Sequence, residues 1–431
     1  MRYPPIDRQL FIKNRRKFTE RMKPKSLAVF NSNDTYPISA DSTLPFAQHR
    51  DIFYLSGIDQ AESILVLFPD AQLEKHREML FLRQTDAALA IWEGEKLSRT
   101  RAFALSGIQT VYGIEDFHKV LYGLMCQADH LYLNRNEHYR AHTPTQTRED
   151  RFIQWAEREY PLHHRARSNP ILQHIRSIKE PVEIELIQQA CNITEKGFRR
   201  VLNFIKPGVW EYEIEAEYTH EFLCNRAELA YSPILASGPN ATVLHYSKND
   251  RACRAGDVIL MDVGAAYSHY TSDMTRCVPV GGRFTKRQKA VYNAVLRVKN
   301  AAAKMLVSGT DWTAYHRAVG QLMTAELIGL QLLDKADVKN EDPDRPAYKK
   351  YFMHGTSHHL GLDTHDYGLL WEPMEAHMVF TVEPGIYIPE ENLGIRIEDD
   401  YVIQTSGEPR NLMQNIPIEA DEIEDLIHTK S

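Results

Sequence analysis

The sequence predicts an α/β (α+β) protein with two domains: a mixed α/β domain, followed by a domain built from two copies of a helix-and-strand unit. The first reason is length, because 431 residues exceed what one ordinary hydrophobic core contains. The second is an alternation of helical and strand-like segments up to about residue 165. The third is a pattern of long helices and acidic strands that then occurs twice. We assign residues 1–172 and 173–431 to the two domains.

The N-terminal domain is predicted to be a mixed sheet with flanking helices. It begins with a basic amphipathic stretch near residues 6–23. Short apolar runs then follow, and such runs are typical of buried strands. The runs are SLAVF, DIFYLSGI, ESILVLF, MLFLR and HLYLN. The helical patterns EDFHKVLYGLMCQA and TREDRFIQWAER lie before and after the last of them.

The C-terminal domain repeats one order of elements. A long helix, the first from about residue 180 to 205, is followed by a second helix. Next comes a strand that carries an acid, one residue and a glycine, and then a segment with a further acid. The corresponding segments of the two copies are KPGVWEYEI and VSGTDWTAYH, ILMDVGAAY and FTVEPGIYI, and TSDMTR and IRIED. This order predicts two halves of helix, helix and hairpin, with a polar insertion near residues 334–350 in the second.

The acids of the repeated strands are predicted to lie close together. If the strands around Asp262 and Asp273 form a hairpin that turns near Tyr267 and Ser268, the two aspartates face each other, with Cβ atoms roughly 4.5–5.5 Å apart. Like charges at that distance repel, so one aspartate must take up a proton or bind a cation. Apolar neighbours place Asp262 on a buried strand, where an unpaired carboxylate is costly.

Four acids in one small volume predict a metal centre. Glu383 and Glu398 occupy the corresponding places in the second copy, and Arg396 is one salt-bridge partner for four carboxylates. Two divalent cations would balance them, and paired metals in such sites lie roughly 3.5–4 Å apart. The segment MHGTSHHLGLDTHD, with four histidines in fourteen residues, is expected to add one imidazole ligand. Oxygen ligands with a single imidazole favour Mn²⁺ over Zn²⁺, with magnesium, cobalt and iron left open.

Five motifs resemble those of the pita-bread metallopeptidases, the family that includes methionine aminopeptidase, prolidase and aminopeptidase P. The motifs are MDVGA, SDMTR, HGTSHHLGLDTHD, TVEPGIY and GIRIEDD. The resemblance implies two halves related by a pseudo-twofold axis around two metal ions. It also implies the metal ligands, which are Asp262, Asp273, His358, Glu383 and Glu398. The segment STLPFAQHRDIFYLSGID and the Ser-His order in HGTSHHLGLD are similar to aminopeptidase P in particular.

The resemblance implies a metal-dependent aminopeptidase whose substrates are peptides with proline at position two. A hydroxide that bridges the two metals would attack the first peptide bond, and Glu383 would relay a proton to the leaving nitrogen. Aminopeptidase P proteins form oligomers, so a homo-oligomer, a dimer or tetramer, is expected. The remaining implied roles are substrate contact for His354, His365 and His245, orientation of Asp262 by Tyr387 and Arg396, and contact with a neighbouring subunit's site for Trp92.

Two positions depart from the family's pattern, and three alternatives stay open at this point. His359 replaces a more usual aromatic residue, and Lys96 stands where arginine is common. Both bear on substrate preference, and neither removes a ligand. The alternatives are a prolidase restricted to dipeptides, a relative that uses the metals on another amide or ester, and a binding protein with an inert pocket. His359 and His377 are predicted to be surface or packing residues.

The composition favours a cytoplasmic protein that does not act on nucleic acid or membranes. A net charge of −7 gives no reason to expect an anionic partner. The longest apolar run, in SILVLFPD, is too short to span a bilayer. The basic N-terminal segment lacks the apolar stretch of a secretory signal. Five scattered cysteines without a CxxC pair favour a reducing compartment over structural zinc or disulfides.

Overall fold

The computed structural model describes residues 3–342 and 344–428 of the chain. These residues form two compact units, which are joined in the sequence at Arg176 and Ser177. The assignment of residues 1–172 and 173–431 to two domains stays a prediction. Within the described residues, no helix has both the length and the apolar composition that crossing a membrane requires.

The N-terminal unit contains a six-stranded mixed sheet. Its helices are α1 (Arg8–Thr19), α2 (Arg50–Ser56), α3 (Ala87–Glu93), α4 (Arg99–Ser106), α5 (Phe117–Met125), α6 (Arg148–Glu159) and α7 (Asn169–Ser177). Its strands are β1 (Ser26–Asn31), β2 (Pro37–Ser39), β3 (Ser42–Thr43), β4 (Ser63–Leu67), β5 (Glu78–Leu82), β6 (Thr110–Gly113), β7 (His130–Leu133) and β8 (His164–Arg167). The large sheet has the order β6-β5-β4-β1-β7-β8. Because β1 is antiparallel to β4 and parallel to β7, the sheet is mixed.

One face of this sheet packs against α5 and α6. Leu27 and Val29 of β1 lie in a core that Phe117 and Leu121 of α5 and Phe152 of α6 complete. Residues two apart on a strand share a face, which is why Leu27 and Val29 lie on the same side. Burial of such apolar area, at roughly 25 cal/mol per Å², stabilises the unit.

The segment DIFYLSGI, which we predicted to be a strand, forms α2 instead. Nδ1 of His49 accepts the N–H of Asp51 at the first turn, and Gly57 ends the helix with a φ of +67°. Residues 51–56 are all buried, so no polar face indicates a helical period. A short continuous apolar run does not distinguish a buried helix from a buried strand. The prediction was wrong for that reason.

The C-terminal unit contains the duplicated halves. Its helices are α8 (Pro181–Leu202), α9 (Glu211–Cys224), α10 (Lys286–Ala303), α11 (Trp312–Gly329), α12 (Lys335–Lys339) and α13 (Ala420–His428). Its strands are β9 (Glu228–Leu229), β10 (Ile234–Ser237), β11 (Val258–Val263), β12 (Ala265–Tyr267), β13 (Tyr270–Thr271), β14 (Met274–Pro279), β15 (Val379–Val382), β16 (Gly385–Ile388), β17 (Leu393–Arg396), β18 (Asp399–Val402) and β19 (Arg410–Asn411). α8 packs on α9, and α10 packs on α11. The predicted order of helix, helix and hairpin therefore occurs twice.

Each half ends in an antiparallel hairpin that is interrupted beside its first acid. In the first half β11 pairs with β14 and β12 with β13, whereas in the second β15 pairs with β18 and β16 with β17. Each interruption needs the glycine that follows the acid. A methyl group on Gly264 would lie 1.9 Å from the carbonyl oxygen of Ser272, and one on Gly385 would lie 2.6 Å from the Tyr387 hydroxyl. This close approach explains the repeated spacing of acid and glycine.

The register of the first hairpin differs from the prediction. Asp262 pairs with Thr275, and Asp273 lies two residues earlier on that strand. The prediction that the two aspartates face each other directly was therefore wrong, because they are diagonal neighbours across the hairpin.

The second hairpin has the arrangement that we expected of the first. Its register, continued between the two ladders, sets Glu383 opposite Glu398. The two halves meet where Thr275 and Glu398 form an antiparallel bridge, in which the Glu398 N–H donates to the Thr275 carbonyl at 3.1 Å. By register, Thr275 corresponds to Glu398 in the duplicated pattern, and Asp273 corresponds to Arg396.

Candidate metal centre and active site

The predicted ligands converge where the two hairpins meet. Ligand atoms of Asp273, His358 and Glu398 lie within 4.8 Å of one another, close enough to share a metal ion. Glu383 joins them, with its Oε1 3.6 Å from Nε2 of His358. Asp262 completes the group through a hydroxyl that it shares with Asp273. The structure thus brings all five residues together.

Tyr231 provides that shared hydroxyl. Its oxygen lies 2.6 Å from Oδ1 of Asp262 and 2.5 Å from Oδ1 of Asp273. A hydroxyl donates one hydrogen bond at a time, so it satisfies only one of two ionised carboxylates. Burial, followed by the charges of Asp262 and Asp273, raises the pKa of Tyr231 well above its usual value, so the hydroxyl keeps its proton. Tyr231 was not predicted from the sequence, because it belongs to no recognised motif and precedes Asp262 by 31 positions.

The cluster carries more negative charge than the chain neutralises. Burial, followed by the charge of Asp262, raises the pKa of Asp273 well above its usual value. Burial, followed by the charges of Asp273 and Glu383, does the same to the pKa of Glu398. Burial also raises the pKa of Glu383 to about 7. Carboxyl groups in this state gain stability from a bound cation, which replaces lost hydration and removes the repulsion.

The orientation of His358 suits a metal ligand. Its Nδ1 lies 2.9 Å from the carbonyl oxygen of His359, a group that only accepts, so Nδ1 carries the ring proton. Nε2 therefore presents its lone pair toward the acids and lies 3.4 Å from Oδ2 of Asp273. Metal-bound histidines are usually fixed in this way, by a carbonyl or carboxylate on the other ring nitrogen.

A second network links His354 to Asp262. Nδ1 of His354 lies 2.7 Å from the carbonyl oxygen of Gly355, and Nε2 lies 2.8 Å from the Tyr387 hydroxyl. Since the carbonyl only accepts, Nδ1 is the donor and Nε2 accepts from Tyr387. The Tyr387 oxygen accepts from Nη1 of Arg396 at 2.8 Å, and Nη2 of Arg396 donates to Asp262 at 2.6 Å. Burial, followed by the charge of Arg396, lowers the pKa of His354 to about 3, so the ring is neutral.

Arg396 also reaches the second half of the centre through Thr275. Its Nε donates to Oγ1 of Thr275 at 3.2 Å, and that hydroxyl donates to Oε2 of Glu398 at 2.6 Å. One guanidinium therefore supports acids of both hairpins. Thr275 was not predicted from the sequence. Its correspondence with Glu398 is visible only once the register is known.

Two further predicted histidines lie on the exposed side of the centre. The rings of His365 and His358 pack edge to face, with centroids 4.4 Å apart. The side chain of His365 is exposed. His245 is exposed in the turn that follows residues 238–242. The charge of His245 is among the causes that lower the pKa of His354, after burial and the charges of Arg396 and Lys349.

Glu211 fixes the segment that carries His245. This fully buried carboxylate accepts the Tyr246 hydroxyl at 2.8 Å and the N–H of Arg251 at 3.0 Å. Its other oxygen accepts both the N–H and the hydroxyl of Ser237 at 2.7 Å. Glu211 was not predicted from the sequence, since a glutamate in the first turn of a helix is ordinary.

Other residues singled out in the sequence have different surroundings. Trp92 lies on α3 of the N-terminal unit with 87% of its surface exposed, and its contact with a neighbouring subunit stays a prediction. Lys96, in the same unit, pairs with Glu93 at 2.9 Å. His359 is buried against Phe380, with ring centroids 4.3 Å apart. His377 is half-buried, with a φ of +68°.

Comparison with known proteins finds matches in both units. The family model described as metallopeptidase family M24 matches residues 185–405, and the model described as aminopeptidase P, N-terminal domain, matches residues 11–132. The Xaa-Pro aminopeptidase of Escherichia coli K12 is 33% identical to this chain over 98% of this chain and 98% of its own length. Human Xaa-Pro aminopeptidase 3 is 33% identical over 92% of this chain and 79% of its own length.

Solved structures of aminopeptidase P proteins match the fold of this chain. Zinc-substituted aminopeptidase P of Escherichia coli, in complex with product, superposes with a TM-score of 0.87 at 31% identity and covers 99% of this chain and 100% of its own. Aminopeptidase PepP of Pseudomonas aeruginosa has a TM-score of 0.88 at 30% identity and covers 99% of each chain. The duplicated hairpins and their acids define a metallopeptidase, and the chain belongs to metallopeptidase family M24. The resemblance to aminopeptidase P and the predicted α/β fold with a pita-bread domain are confirmed.

Proposed function

We propose that this protein is a metal-dependent Xaa-Pro aminopeptidase, which removes the N-terminal residue from peptides with proline at position two. One observation carries the proposal: five converging ligand side chains, which are Asp262, Asp273, His358, Glu383 and Glu398. Relatives of nearly equal length that are named Xaa-Pro aminopeptidases support the choice of substrate. The intact ligand set favours an enzyme over a binding protein with an inert pocket.

These five side chains would hold two divalent ions, for which Mn²⁺ is the best candidate. Four carboxylates and one imidazole form a hard, oxygen-rich set that suits Mn²⁺ better than Zn²⁺. The raised pKa values of Asp273 and Glu398 support the fit, because a cation is what these buried acids lack. When bound, such ions polarise the scissile carbonyl and lower the pKa of water.

Glu383 is the candidate for moving a proton during hydrolysis. Its Oε1 lies 3.6 Å from Nε2 of His358 and its Oε2 lies 3.6 Å from Nδ1 of His354, so the carboxylate faces both a predicted metal ligand and a predicted substrate contact. Its backbone N–H donates to the carbonyl of Thr356 at 2.8 Å, which fixes the start of the side chain. We assign to Glu383 the transfer of a proton to the proline nitrogen, which must be protonated to leave.

The histidines around the centre differ in how they would contact the substrate. Both ring nitrogens of His354 are engaged, with Gly355 and Tyr387, so a hydrogen bond from His354 to substrate must replace its bond to the Gly355 carbonyl. A neutral ring can make this exchange without adding a positive charge. His365 and His245 are exposed beside the centre and are the candidates for direct contact with the peptide.

A substrate panel with metal removal tests the activity. Chelated protein should not hydrolyse Ala-Pro-Ala, and Mn²⁺ should restore hydrolysis, whereas Ala-Ala-Ala should resist cleavage in both states. Hydrolysis of Ala-Pro but not of Ala-Pro-Ala would identify a prolidase. A manganese-loaded protein that cleaves none of these peptides would favour an inert binding protein.

An Asp273→Asn variant tests the ligand assignment. We expect kcat to fall by more than the 10- to 100-fold that loss of a ligand's supporting contact causes, together with loss of bound metal. Glu408→Gln is the matched control, because Glu408 is an exposed acid outside the cluster. Equal metal content and activity in Asp273→Asn and the control would contradict the assignment.

We also infer a homo-oligomer that works in the cytoplasm. All five cysteines are free, which suits a reducing compartment. Trp92 presents a large exposed apolar surface of the kind that a second copy of the chain covers. Light scattering on purified protein should give the mass of a dimer or tetramer, and Trp92→Ala should lower it. A wild-type protein that stays monomeric at micromolar concentration would contradict this inference.

A further inference from the structure

Lys349 holds a positive charge beside the candidate active site. It lies in the one-turn helix Ala347–Lys350, shortly before His354. Its Nζ donates to the backbone carbonyl of His354 at 3.4 Å. The same nitrogen lies 5.3 Å from the ring centre of Tyr348 and 5.8 Å from that of Phe352, within range of cation–π attraction. The Phe352 ring packs edge-on against the His354 ring, with centroids 4.9 Å apart.

Packing and backbone hydrogen bonds hold the aromatic residues beneath Lys349. Tyr348 packs closely against Gly320 of α11, where an added methyl group would lie 2.7 Å from the tyrosine ring. The carbonyl of Tyr348 accepts the N–H groups of Tyr351 and Phe352 at 3.0 and 2.9 Å. Phe352 itself is buried. The rings of Tyr348 and Phe352 therefore give the Lys349 ammonium group a contact surface close to His354.

In the described part of the chain, no acidic side chain pairs with Lys349. Among residues 3–342 and 344–428, no carboxylate lies within 4.0 Å of the Lys349 nitrogen. Burial lowers the pKa of Lys349, and the charge of Lys349 in turn helps to lower the pKa values of His316 and His354, after the larger effect of burial on each. Lys349 is exposed, so an anion from solution can reach its ammonium group. An anion supplied from outside the chain would therefore be attracted to this place.

We propose that Lys349 binds the C-terminal carboxylate of short peptide substrates. This inference rests on the proposed aminopeptidase function. Two bound cations would balance the acids of the centre, and the positive charge of Lys349 beside it would attract the end of the peptide that carries the carboxylate. Nζ contacts the backbone carbonyl of His354 and not its ring, so Lys349 lies next to a predicted substrate-contact residue without joining the hydrogen bonds of that ring. In a tripeptide the carboxylate lies two residues beyond the scissile bond, a span of at most about 7 Å.

The inference makes a tripeptide a better substrate than its amide. We expect wild-type protein to hydrolyse Ala-Pro-Ala with a kcat/KM about tenfold higher than that for Ala-Pro-Ala-amide, the change produced by one charge-assisted hydrogen bond. Lys349→Gln should reduce this ratio to about one by slowing the acid and not the amide. Lys349→Arg should keep most of the preference. Lys350→Gln is the matched control, because Lys350 lies in the same turn but over the ring of Tyr351.

The possible outcomes separate the inference from the proposed function. An acid-to-amide ratio in Lys349→Gln equal to that of wild type would overturn the role of Lys349 while leaving the aminopeptidase intact. A wild-type protein that cleaves neither peptide would overturn the proposed function itself. Ala-Pro-Glu-amide tests the other source of a carboxylate: if its side chain restores the rate through Lys349, the lysine reads an acidic side chain and not the C-terminus. Equal melting temperatures and metal contents of the variants would exclude misfolding as the cause.

Discussion

Tyr387 illustrates how one hydroxyl fixes the state of its neighbours. It donates to Nε2 of His354 and accepts from Nη1 of Arg396, both at 2.8 Å. Burial raises the pKa of Tyr387 above its usual value, so the proton that it donates is present at every working pH. The direction of the hydrogen bonds then follows, from Arg396 to Tyr387 to His354. The Nη2 atom of Arg396 donates to Asp262.

Tyr387→Phe should therefore impair turnover more than binding. Removing the hydroxyl leaves one donor of Arg396 and one acceptor of His354 without a partner, at a cost of about 1–3 kcal/mol. We expect kcat to fall by about 10- to 100-fold, with a smaller change in KM. Tyr122→Phe, at an exposed tyrosine, is the control and should match wild type. Unchanged kcat in Tyr387→Phe would show that turnover does not depend on the Tyr387 hydroxyl that joins Arg396 to His354.

Glu149 makes the stability of the N-terminal unit depend on pH. It is buried, and its oxygens accept the backbone N–H and the side-chain amide of Asn31 at 2.9 and 2.7 Å. Burial raises its pKa from 4.5 to about 8. Between these values the folded protein retains a proton that the unfolded chain releases. Stability must therefore fall as the pH rises from about 4.5 to about 8.

Glu149→Gln should flatten this pH dependence. Glutamine resembles the protonated acid and has no proton to lose, so the loss of unfolding free energy between pH 5 and 8 should shrink. Urea unfolding at several pH values measures the slope. Glu159→Gln, on the exposed side of the same helix, should keep the wild-type slope. A Glu149→Gln slope as steep as that of wild type would contradict the assigned pKa.

At the scale of elements, Asp399 links β18 to β14 and α10 next to the candidate metal centre. Oδ1 of Asp399, on β18, accepts from Arg276 of β14 at 2.6 Å, and Oδ2 accepts from Lys299 of α10. Arg276 also donates to the carbonyl of Glu398 at 2.7 Å. Although burial acts to raise it, the charges of Arg276 and Lys299 hold the pKa of Asp399 well below its usual value. The stabilisation is therefore present above the usual aspartate pKa and is lost in stronger acid.

Asp399→Asn should destabilise the C-terminal unit strongly. It leaves Arg276 and Lys299 buried with one anion fewer, and breaking a buried pair in this way costs about 3–5 kcal/mol. Asp421→Asn, which removes an exposed partner of Lys289, should cost less than about 1 kcal/mol. Chemical unfolding at neutral pH measures both. A loss for Asp399→Asn as small as that of the control would show that the buried cations are satisfied without it.

The hairpins show how far local pattern predicts an element. The repeated order of acid and glycine predicted two hairpins, and both exist. The turn of the first hairpin lies at Ser268 and His269, whose φ angles are +52° and +68°. A turn with two positive φ values is normally signalled by Asn-Gly, and Ser-His gives no such signal. The turn was placed one residue too early, and a one-residue shift of a turn moves each cross-strand partner by two.

At the scale of the whole molecule, the sequence predicts a fold but not the contacts between distant segments. The ligand motifs were recognisable because each combines an acid or histidine with a fixed local neighbourhood. Tyr231, Thr275 and Glu211 have no such neighbourhood, and their roles depend on which strands meet after folding. The strand prediction for residues 51–56 was wrong for a related reason, since complete burial removes the period that distinguishes a helix from a strand.

Metal binding should also stabilise the folded chain as a whole. Ions that bind the folded state and not the unfolded one add about 2.7 kcal/mol to the unfolding free energy at a hundredfold excess over Kd. The gain should be large here because the acids of both hairpins repel one another without cations. Chelated protein should melt at a lower temperature than manganese-loaded protein. Identical melting curves in the two states would mean that the metals do not bind the native centre.

The most direct test of the central claim is the metal content of the intact protein. Protein loaded with Mn²⁺, desalted and analysed by mass spectrometry of its elements should hold two ions per chain, and Asp273→Asn should hold fewer. This expectation follows from four acids of the two hairpins and from His358, which lie around one small volume. Wild-type protein that emerges from the column without manganese would contradict the claim, whatever activity it shows.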